Sequence, residues 1–270
     1  MRYLAFFLLI LASPTHAQSD SLIEVKLARA DSGEPVFIRA ILSKPEKETA
    51  IALLYFRGYP GVSRIKTVDD KSKNLQPFMR KNQKLFLEND IALVVMDCPT
   101  DKWLYFECNE PYRLSKNYAD DIRGVIKVLR EQHKLSKFFI MGHSMGASSS
   151  RGLALNLGAE IAGSIHSAAM NNVNSRSGFG GNFSDFPYAA LRAPQVHVHH
   201  QDDACPSTPY HWVKSYSGKN LMTVVGGLDE GDRCGGGHYH SYLGREKEVV
   251  EGLIKWIKTG QTTPVIGKSD

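Results

Sequence analysis

The sequence lacks the features of repetitive, fibrous and nucleic-acid-binding proteins. No unit of about 20–50 residues recurs, and neither a heptad run nor a low-complexity tract is present, which excludes repeat arrays and coiled coils. The formal charge is only +5, and no predicted helix carries a stripe of lysine and arginine with interleaved aromatics. The chain is therefore not expected to bind nucleic acid.

Long apolar runs are also scarce. After residue 17, no segment reaches the roughly 18 apolar residues that a membrane-spanning helix needs. Residues 1–17 combine a basic Arg2, a short apolar core and a small-x-small site that ends at Ala17, which is the pattern of a cleaved signal peptide. An uncleaved anchor is the alternative. We expect a secreted or periplasmic chain that begins at Gln18 and has no stable membrane insertion.

Cysteine is rare as well, with four residues in 270. An even number in an exported chain predicts two disulfides, for which three pairings are possible. Cys98 and Cys108 flank one loop after a predicted strand, so we pair them with each other. Cys205 is then paired with Cys234.

Residues 18–270 predict a single α/β domain. Apolar or alternating segments predict strands over 22–29, 35–42, 50–56, 91–97, 138–142, 161–167, 195–200 and 221–225. Apolar residues at helical spacing predict helices over 78–89, 117–133 and 246–258. Strands that alternate with helices indicate a mainly parallel central sheet with helices on both faces, and the turn at 31–34 indicates an N-terminal antiparallel hairpin.

Gly142, Ser144 and Gly146 form a G-x-S-x-G motif at a predicted strand-to-helix junction. In this context the motif predicts a nucleophile elbow, a strained turn that lifts the serine hydroxyl above the edge of the sheet. Side chains at the two glycine positions would collide with the neighbouring strand and helix. The alternative is a chance pentapeptide in a loop, but three further segments, one before the motif and two after it, stand in the order that an elbow requires.

The first segment is the glycine-bearing loop 55–61, which follows an apolar strand. The N–H of Tyr59 in this loop and the N–H of Met145 are candidate donors of an oxyanion hole, although an ordinary glycine-rich turn is the alternative. The second segment contains Asp202 and Asp203 after a strand. We choose Asp203 as a triad acid and interpret Asp202 as a surface or turn carboxylate. The third is a glycine-rich loop with two candidate bases.

These bases, His238 and His240, complete the order serine, aspartate, histidine that α/β hydrolases have. The chain resembles that superfamily over essentially its whole mature length. It is most similar to small secreted or periplasmic bacterial hydrolases of unassigned substrate, which share the segments HHQDDAC (199–205) and HSYLGRE (240–246), and also DCPTD (97–101). The resemblance implies the α/β-hydrolase fold, Asp203 as the acid and His240 as the base.

The sequence departs from common esterases at one position, and the length of one interval bears on access to the site. Arg57 stands before Gly58 where many esterases have His-Gly; it would meet an acidic substrate group or, as we favour, pair with a neighbouring carboxylate. The interval 168–194 is too short and polar for the helical cap often found there, so we expect minimal or no cap and an open site. Phe179, Phe183 and Phe186 would then contact substrate or anchor this loop.

Histidines and late cysteines are dense enough to raise the alternative of a metal site. However, the spacing matches no standard zinc pattern, and neighbouring strand residues such as His199 and His200 point to opposite faces. We therefore expect no metal and no other cofactor, and interpret His166, His197 and His200 as structural.

Together these features predict a secreted serine esterase. Ser144 would attack the carbonyl of a small-molecule ester or similar acyl substrate, His240 would transfer the proton, and water would release the acyl group. A peptidase or amidase with the same triad is one alternative. A non-catalytic binding protein on the same fold is another.

Overall fold

The computed structural model of the chain describes residues 20–29, 33–104, 107–171 and 186–268. The expected signal peptide, as well as Phe179 and Phe183, lies outside the described residues. Within those four ranges, no helix has the length and apolar character needed to cross a membrane.

One sheet organises the described residues. Its strands are β1 (Asp20–Leu27), β2 (Val36–Ser43), β3 (Ile51–Phe56), β4 (Ile91–Met96), β5 (Lys137–His143), β6 (Gly163–Ser167), β7 (Gln195–His200), β8 (Leu221–Val224) and β9 (Val265–Ile266). The α-helices are α1 (Lys71–Asn74), α2 (Pro77–Glu88), α3 (Glu110–Arg113), α4 (Lys116–His133), α5 (Ala147–Leu157), α6 (Tyr210–Ser217) and α7 (Glu246–Thr259).

The strands lie in the order β1-β2-β4-β3-β5-β6-β7-β8-β9. The pairs β1–β2 and β2–β4 are antiparallel, and each remaining pair of neighbours is parallel. The predicted mainly parallel sheet with an N-terminal antiparallel hairpin is therefore confirmed.

Apolar side chains cover both faces of the sheet, as the continuous apolar runs predict. In β3, Leu53 and Tyr55 join a buried cluster with residues of α2 and α7. Ala52, Leu54 and Phe56 of the same strand join a second cluster with residues of α4 and α5. Full burial of one large apolar side chain contributes about 1.5–3 kcal/mol, so these two clusters hold the helices against the sheet.

The ends of α4, the longest of the described helices, are set by local sequence. α4 begins after Ser115, whose side chain accepts a hydrogen bond from the backbone N–H of Tyr118. It ends at His133, before Lys134, which has a left-handed φ of 59°. Such an N-cap contributes about 1 kcal/mol. The predicted apolar face, which includes Ile122 and Leu129, is buried.

The strand order places a cleft at the carboxyl ends of β3 and β5. The chain passes from β3 to β4 on one side, and β5 then lies on the other side of β3. In open α/β sheets, ligands bind where the strand order reverses in this way. The segments that follow β3 and β5 are the predicted oxyanion loop and the G-x-S-x-G motif, so the topology brings them together.

Candidate active site

Ser144 occupies a strained turn between β5 and α5. Its φ of 54° lies in the left-handed region, which costs a non-glycine residue about 1–3 kcal/mol. A Cβ on Gly142 would overlap the backbone carbonyl of Gly146, and a Cβ on Gly146 would overlap that of Phe56 at the end of β3. Both glycines are thus sterically required, and the tight backbone packing around them holds Ser144 in its turn.

The loop after β3 lies directly against this turn. A Cβ on Gly58 would be 3.2 Å from the Cβ of Ser144, and one on Gly61 would be 2.7 Å from the Sδ of Met145. Tyr59, between these glycines, is 58% exposed. The loop that carries one predicted oxyanion donor therefore contacts the residue that carries the other. The role of the two N–H groups remains a prediction.

Two buried charged residues hold this loop in place. The carboxylate of Asp97 accepts hydrogen bonds from the backbone N–H groups of Ser63 at 2.8 Å, Ile65 at 2.7 Å and its own neighbour Cys98 at 2.7 Å. Arg113, which is 1% exposed, donates to the carbonyl of Gly61 at 2.8 Å. Sequence reasoning missed both supports, although a carboxylate directly after the apolar run of β4 was a usable signal for Asp97.

Among the described residues, Arg57 does not make the carboxylate pair that we favoured from the sequence. Its Nη1 donates to Oδ1 of Asn74 at 2.5 Å and its Nη2 to the carbonyl of Tyr59 at 3.5 Å. No ion pair among the described residues involves Arg57. The expectation was wrong because α1 places an amide, not a carboxylate, beside the guanidinium.

Asp203 and His240 form a buried pair. His240 Nδ1 lies 2.9 Å from Asp203 Oδ2, and the two side chains are 2% and 0% exposed. Since an ionised carboxylate only accepts, Nδ1 carries the proton, and Nε2 is left as the acceptor that a general base needs. This geometry brings together the two residues chosen from the sequence.

The neighbouring alternatives have other surroundings. Asp202 is exposed, and its carboxylate accepts a 3.3 Å hydrogen bond from the side chain of Gln201. The Nδ1 of His238 is buried and has no hydrogen-bond partner among the described residues. Neither residue contributes to the Asp203–His240 pair.

Electrostatics keep the acid of this pair ionised. Burial alone would raise the pKa of Asp203, but the charge of His240 and hydrogen bonds from His199 and His240 lower it below its usual range. When folding lowers the pKa of a carboxyl, the group adds to the free energy of unfolding at any pH above its pKa in the unfolded chain. That contribution is lost as the pH falls through its pKa in the folded protein. Asp203 is thus an anion at neutral pH.

His143 connects the Ser144 turn with His240. It immediately precedes Ser144, and its ring centroid lies 5.1 Å from that of His240. Burial, with a smaller contribution from His240, lowers the pKa of His143 well below its usual range, so the ring is neutral at pH 7. The contact places the Ser144 turn and the His240 loop at the same edge of the sheet.

Two disulfides, Cys98–Cys108 and Cys205–Cys234, are present. They are the pairs expected from the sequence. The second joins the turn that carries Asp203 to the glycine-rich loop before His240. The backbone N–H of Cys205 also donates to Asp203 Oδ1 at 3.0 Å, so the disulfide is anchored one hydrogen bond from the carboxylate.

Removal of this disulfide should lower both stability and rate. For the double variant Cys205→Ser and Cys234→Ser, the separation of 29 residues predicts a loss of roughly 3–4 kcal/mol in the free energy of unfolding. We also expect kcat to fall by about ten- to a hundredfold, because small displacements of catalytic groups are costly. Denaturant unfolding and ester kinetics would measure the two effects.

The double variant Cys98→Ser and Cys108→Ser is the matched control. Its shorter separation of 10 residues predicts a stability loss of about 2.7 kcal/mol. Because Arg113, which holds the carbonyl of Gly61, also contacts Cys98 Sγ at 3.3 Å, this variant is a control for stability and not for kcat. Unchanged unfolding and unchanged kcat in the Cys205 and Cys234 variant would show that the bond between these loops has no influence on the site.

The other histidines have separate partners. His166 Nδ1 lies 2.7 Å from the hydroxyl of Ser150, and His200 Nε2 lies 2.8 Å from the carbonyl of Gly226. In the part of the chain that the structure describes, no group of three or more histidine, cysteine, aspartate or glutamate side chains is arranged to hold a metal ion.

Comparisons with known proteins agree with this architecture. A family model described as "Serine aminopeptidase, S33" matches residues 113–224, and no curated protein matches the sequence. Dienelactone hydrolase from Anabaena variabilis superposes with a TM-score of 0.60 at 12% identity, covering 90% of this chain and 98% of that one. Est1E from Butyrivibrio proteoclasticus gives 0.55 at 14% identity, with 88% and 97% coverage.

A third similar structure is the acylaminoacyl peptidase from Pyrococcus horikoshii. Its TM-score is 0.57 at 14% identity, and the match covers 94% of this chain but 44% of the peptidase. Identities this low indicate a shared architecture and leave the substrate open. The strand order, the tight G-x-S-x-G turn and these likenesses together show that the chain has the α/β-hydrolase fold.

Proposed function

We propose that the chain is an exported serine esterase that cleaves a carboxylic ester through an acyl-enzyme. The observation that carries the proposal is the buried pair of Asp203 and His240, with Nδ1 2.9 Å from the carboxylate, at the sheet edge where Ser144 sits in a glycine-flanked turn. Nucleophile, base and acid then occur in the chain order of α/β hydrolases.

The reaction would proceed in two displacements. Ser144 Oγ attacks the ester carbonyl as His240 Nε2 takes the hydroxyl proton, and the N–H groups of Tyr59 and Met145 bind the oxyanion. The C–O bond to the leaving alcohol then breaks, and His240 returns its proton to that alcohol. Water attacks the acyl-enzyme by the same steps in reverse and regenerates Ser144. Asp203 orients the imidazole and stabilises its cation throughout.

Export belongs to the proposal. The signal-peptide pattern of residues 1–17 and the disulfides support it, because such bonds persist in oxidising compartments. The proposed mature chain comprises residues 18–270. Its substrate would be a small ester or similar acyl compound, and no cofactor would take part.

A peptidase or amidase with the same triad is the second candidate. It is favoured by the family model, whose description names a serine aminopeptidase, and by the acylaminoacyl peptidase among the similar structures. The esterase named Est1E favours the first candidate. A non-catalytic role would leave the strained Ser144 turn without a purpose, since such strain persists mainly at functional sites.

Matched ester and amide substrates separate the two enzymatic candidates. We expect kcat/KM on p-nitrophenyl esters of short acyl groups to exceed that on p-nitroanilides of the same acyl groups by at least about a hundredfold. Because the acyl group is the same in both substrates, the difference in kcat/KM reflects only the leaving group and the type of bond that is cleaved. Equal or faster cleavage of aminoacyl anilides would contradict the esterase assignment and support the peptidase.

A further inference from the structure

The carboxylate of Asp203 is surrounded by more donors than a triad requires. Its Oδ2 lies 2.8 Å from the hydroxyl of Thr208, 2.9 Å from His240 Nδ1 and 3.3 Å from His199 Nε2. Its Oδ1 accepts the backbone N–H of Cys205. The side chains of Asp203 and His199 are both 0% exposed, so these contacts are closed to bulk solvent.

The hydrogen bond between His199 and Thr208 fixes the position of the proton on His199. His199 Nε2 lies 2.8 Å from the backbone carbonyl of Thr208, which can only accept, so Nε2 carries the proton. The opposite nitrogen, Nδ1, is buried without a hydrogen-bond partner among the described residues. His199 therefore donates this N–H to the Thr208 carbonyl and holds the same nitrogen 3.3 Å from the Asp203 carboxylate.

Thr208 in turn directs its hydroxyl at the same carboxylate. Its Oγ1 lies 2.8 Å from Asp203 Oδ2 and 3.2 Å from His240 Nδ1. Because His240 Nδ1 already holds a proton, the hydroxyl donates to Asp203, whose Oδ2 is nearer than the other acceptor, the carbonyl of Cys205 at 3.5 Å. The last residues of β7 and the turn before α6 thus form a buried support around the acid.

We infer that His199 and Thr208 are positioning residues for the catalytic acid, an inference that rests on the proposed serine-hydrolase function. Each donor restrains the carboxylate and withdraws part of its negative charge. The support therefore sets both where Asp203 holds His240 and how strongly it stabilises the imidazolium. Neither residue touches the reacting atoms.

A metal site is the main alternative for two imidazoles on one carboxylate. It is disfavoured because the nitrogens that face Asp203 carry protons and have no lone pair to offer a cation. Metal-ligating nitrogens would need the opposite tautomers, and the Thr208 carbonyl would then face a bare nitrogen of His199.

Substitutions of Thr208 test the inference with the least disturbance. Thr208→Val keeps the shape and the backbone carbonyl but removes the hydroxyl. We expect kcat to fall about tenfold or more with KM within about twofold, and Thr208→Ser to restore kcat to within about threefold of wild type.

The pH profile of kcat/KM distinguishes a positioning role from a merely structural one, because loss of a merely structural residue would leave the profile unchanged. Loss of a donor leaves more charge on Asp203, which favours the protonated form of His240. The acid limb should therefore shift to higher pH, by about half a unit or more. The titratable groups that face this carboxylate or His240 are His143, His199, His200 and Tyr242.

Substitutions of His199 extend the test, with a matched control on the same strand. His199→Phe removes the donor, and His199→Gln retains one; the first should lower kcat and shift the acid limb, and the second should partly restore both. His197→Gln changes the same residue type two positions earlier, where the ring contacts aromatic residues such as Tyr188 and not Asp203. It should leave the acid limb in place.

Two results would overturn the inference. One is wild-type kcat and pH profile in folded Thr208→Val and His199→Phe proteins. The other is a loss of kcat with an unmoved acid limb and no restoration by Thr208→Ser. Failure of the underlying function is a separate result, namely wild-type ester turnover in Ser144→Ala.

Discussion

Replacement of Ser144 by alanine should lower kcat for ester hydrolysis by at least about a thousandfold while the protein remains folded. The variant loses the proposed nucleophile but keeps the proposed oxyanion donors, so residual catalysis over water is expected. Alanine adds no atoms to the turn and meets the same φ of 54° that serine does. Steady-state kinetics with circular dichroism of both proteins would measure the effect.

Ser148→Ala is a suitable control for this variant. Ser148 lies four residues further along, in the first turn of α5, and its buried hydroxyl has no hydrogen-bond partner among the described residues. Its loss should leave kcat within about threefold of wild type, because removal of a buried hydroxyl without a partner breaks no hydrogen bond of the site. Wild-type turnover in folded Ser144→Ala protein would eliminate Ser144 as the nucleophile.

The second large effect is expected at His240. His240→Ala should also lower kcat by at least about a thousandfold, since no other described imidazole donates Nδ1 to Asp203 at 2.9 Å. His238→Ala, the matched control from the same glycine-rich loop, should cost less than about tenfold. Both proteins would be compared by kcat at a pH where the wild-type rate is maximal. A reversed order of the two effects would assign the base to His238.

Regular elements with a long periodic pattern could be predicted from the sequence. The apolar runs of β3, β4 and β5 identified strands buried on both faces, and the apolar face of α4 identified its helix. β9, α1 and α3 were missed because two to four residues are too few to show a period. The register of the short strand β9 depends on its neighbour β8, which is a contact distant in sequence.

Within the candidate site, features set by a short motif could likewise be predicted, whereas contacts between distant residues could not. The G-x-S-x-G turn was predictable because its glycines lie within five consecutive residues and form a recognisable motif, although the clash that requires Gly146 is with the distant Phe56 of β3. The partner of Arg57 was mispredicted because Asn74 is 17 positions away. His199 was overlooked for the same reason: its contact with Thr208 exists only because the chain turns after β7.

Covalent labelling of Ser144 tests the central claim most directly. The mature protein would be incubated with a fluorophosphonate, digested, and mapped by mass spectrometry beside Ser144→Ala and Ser148→Ala. We expect one phosphonyl group per chain, located on Ser144, with activity lost in proportion to labelling and no adduct in Ser144→Ala. An adduct on a different residue, or an ester-hydrolysing protein that takes up no label, would contradict the assignment of Ser144 as the nucleophile.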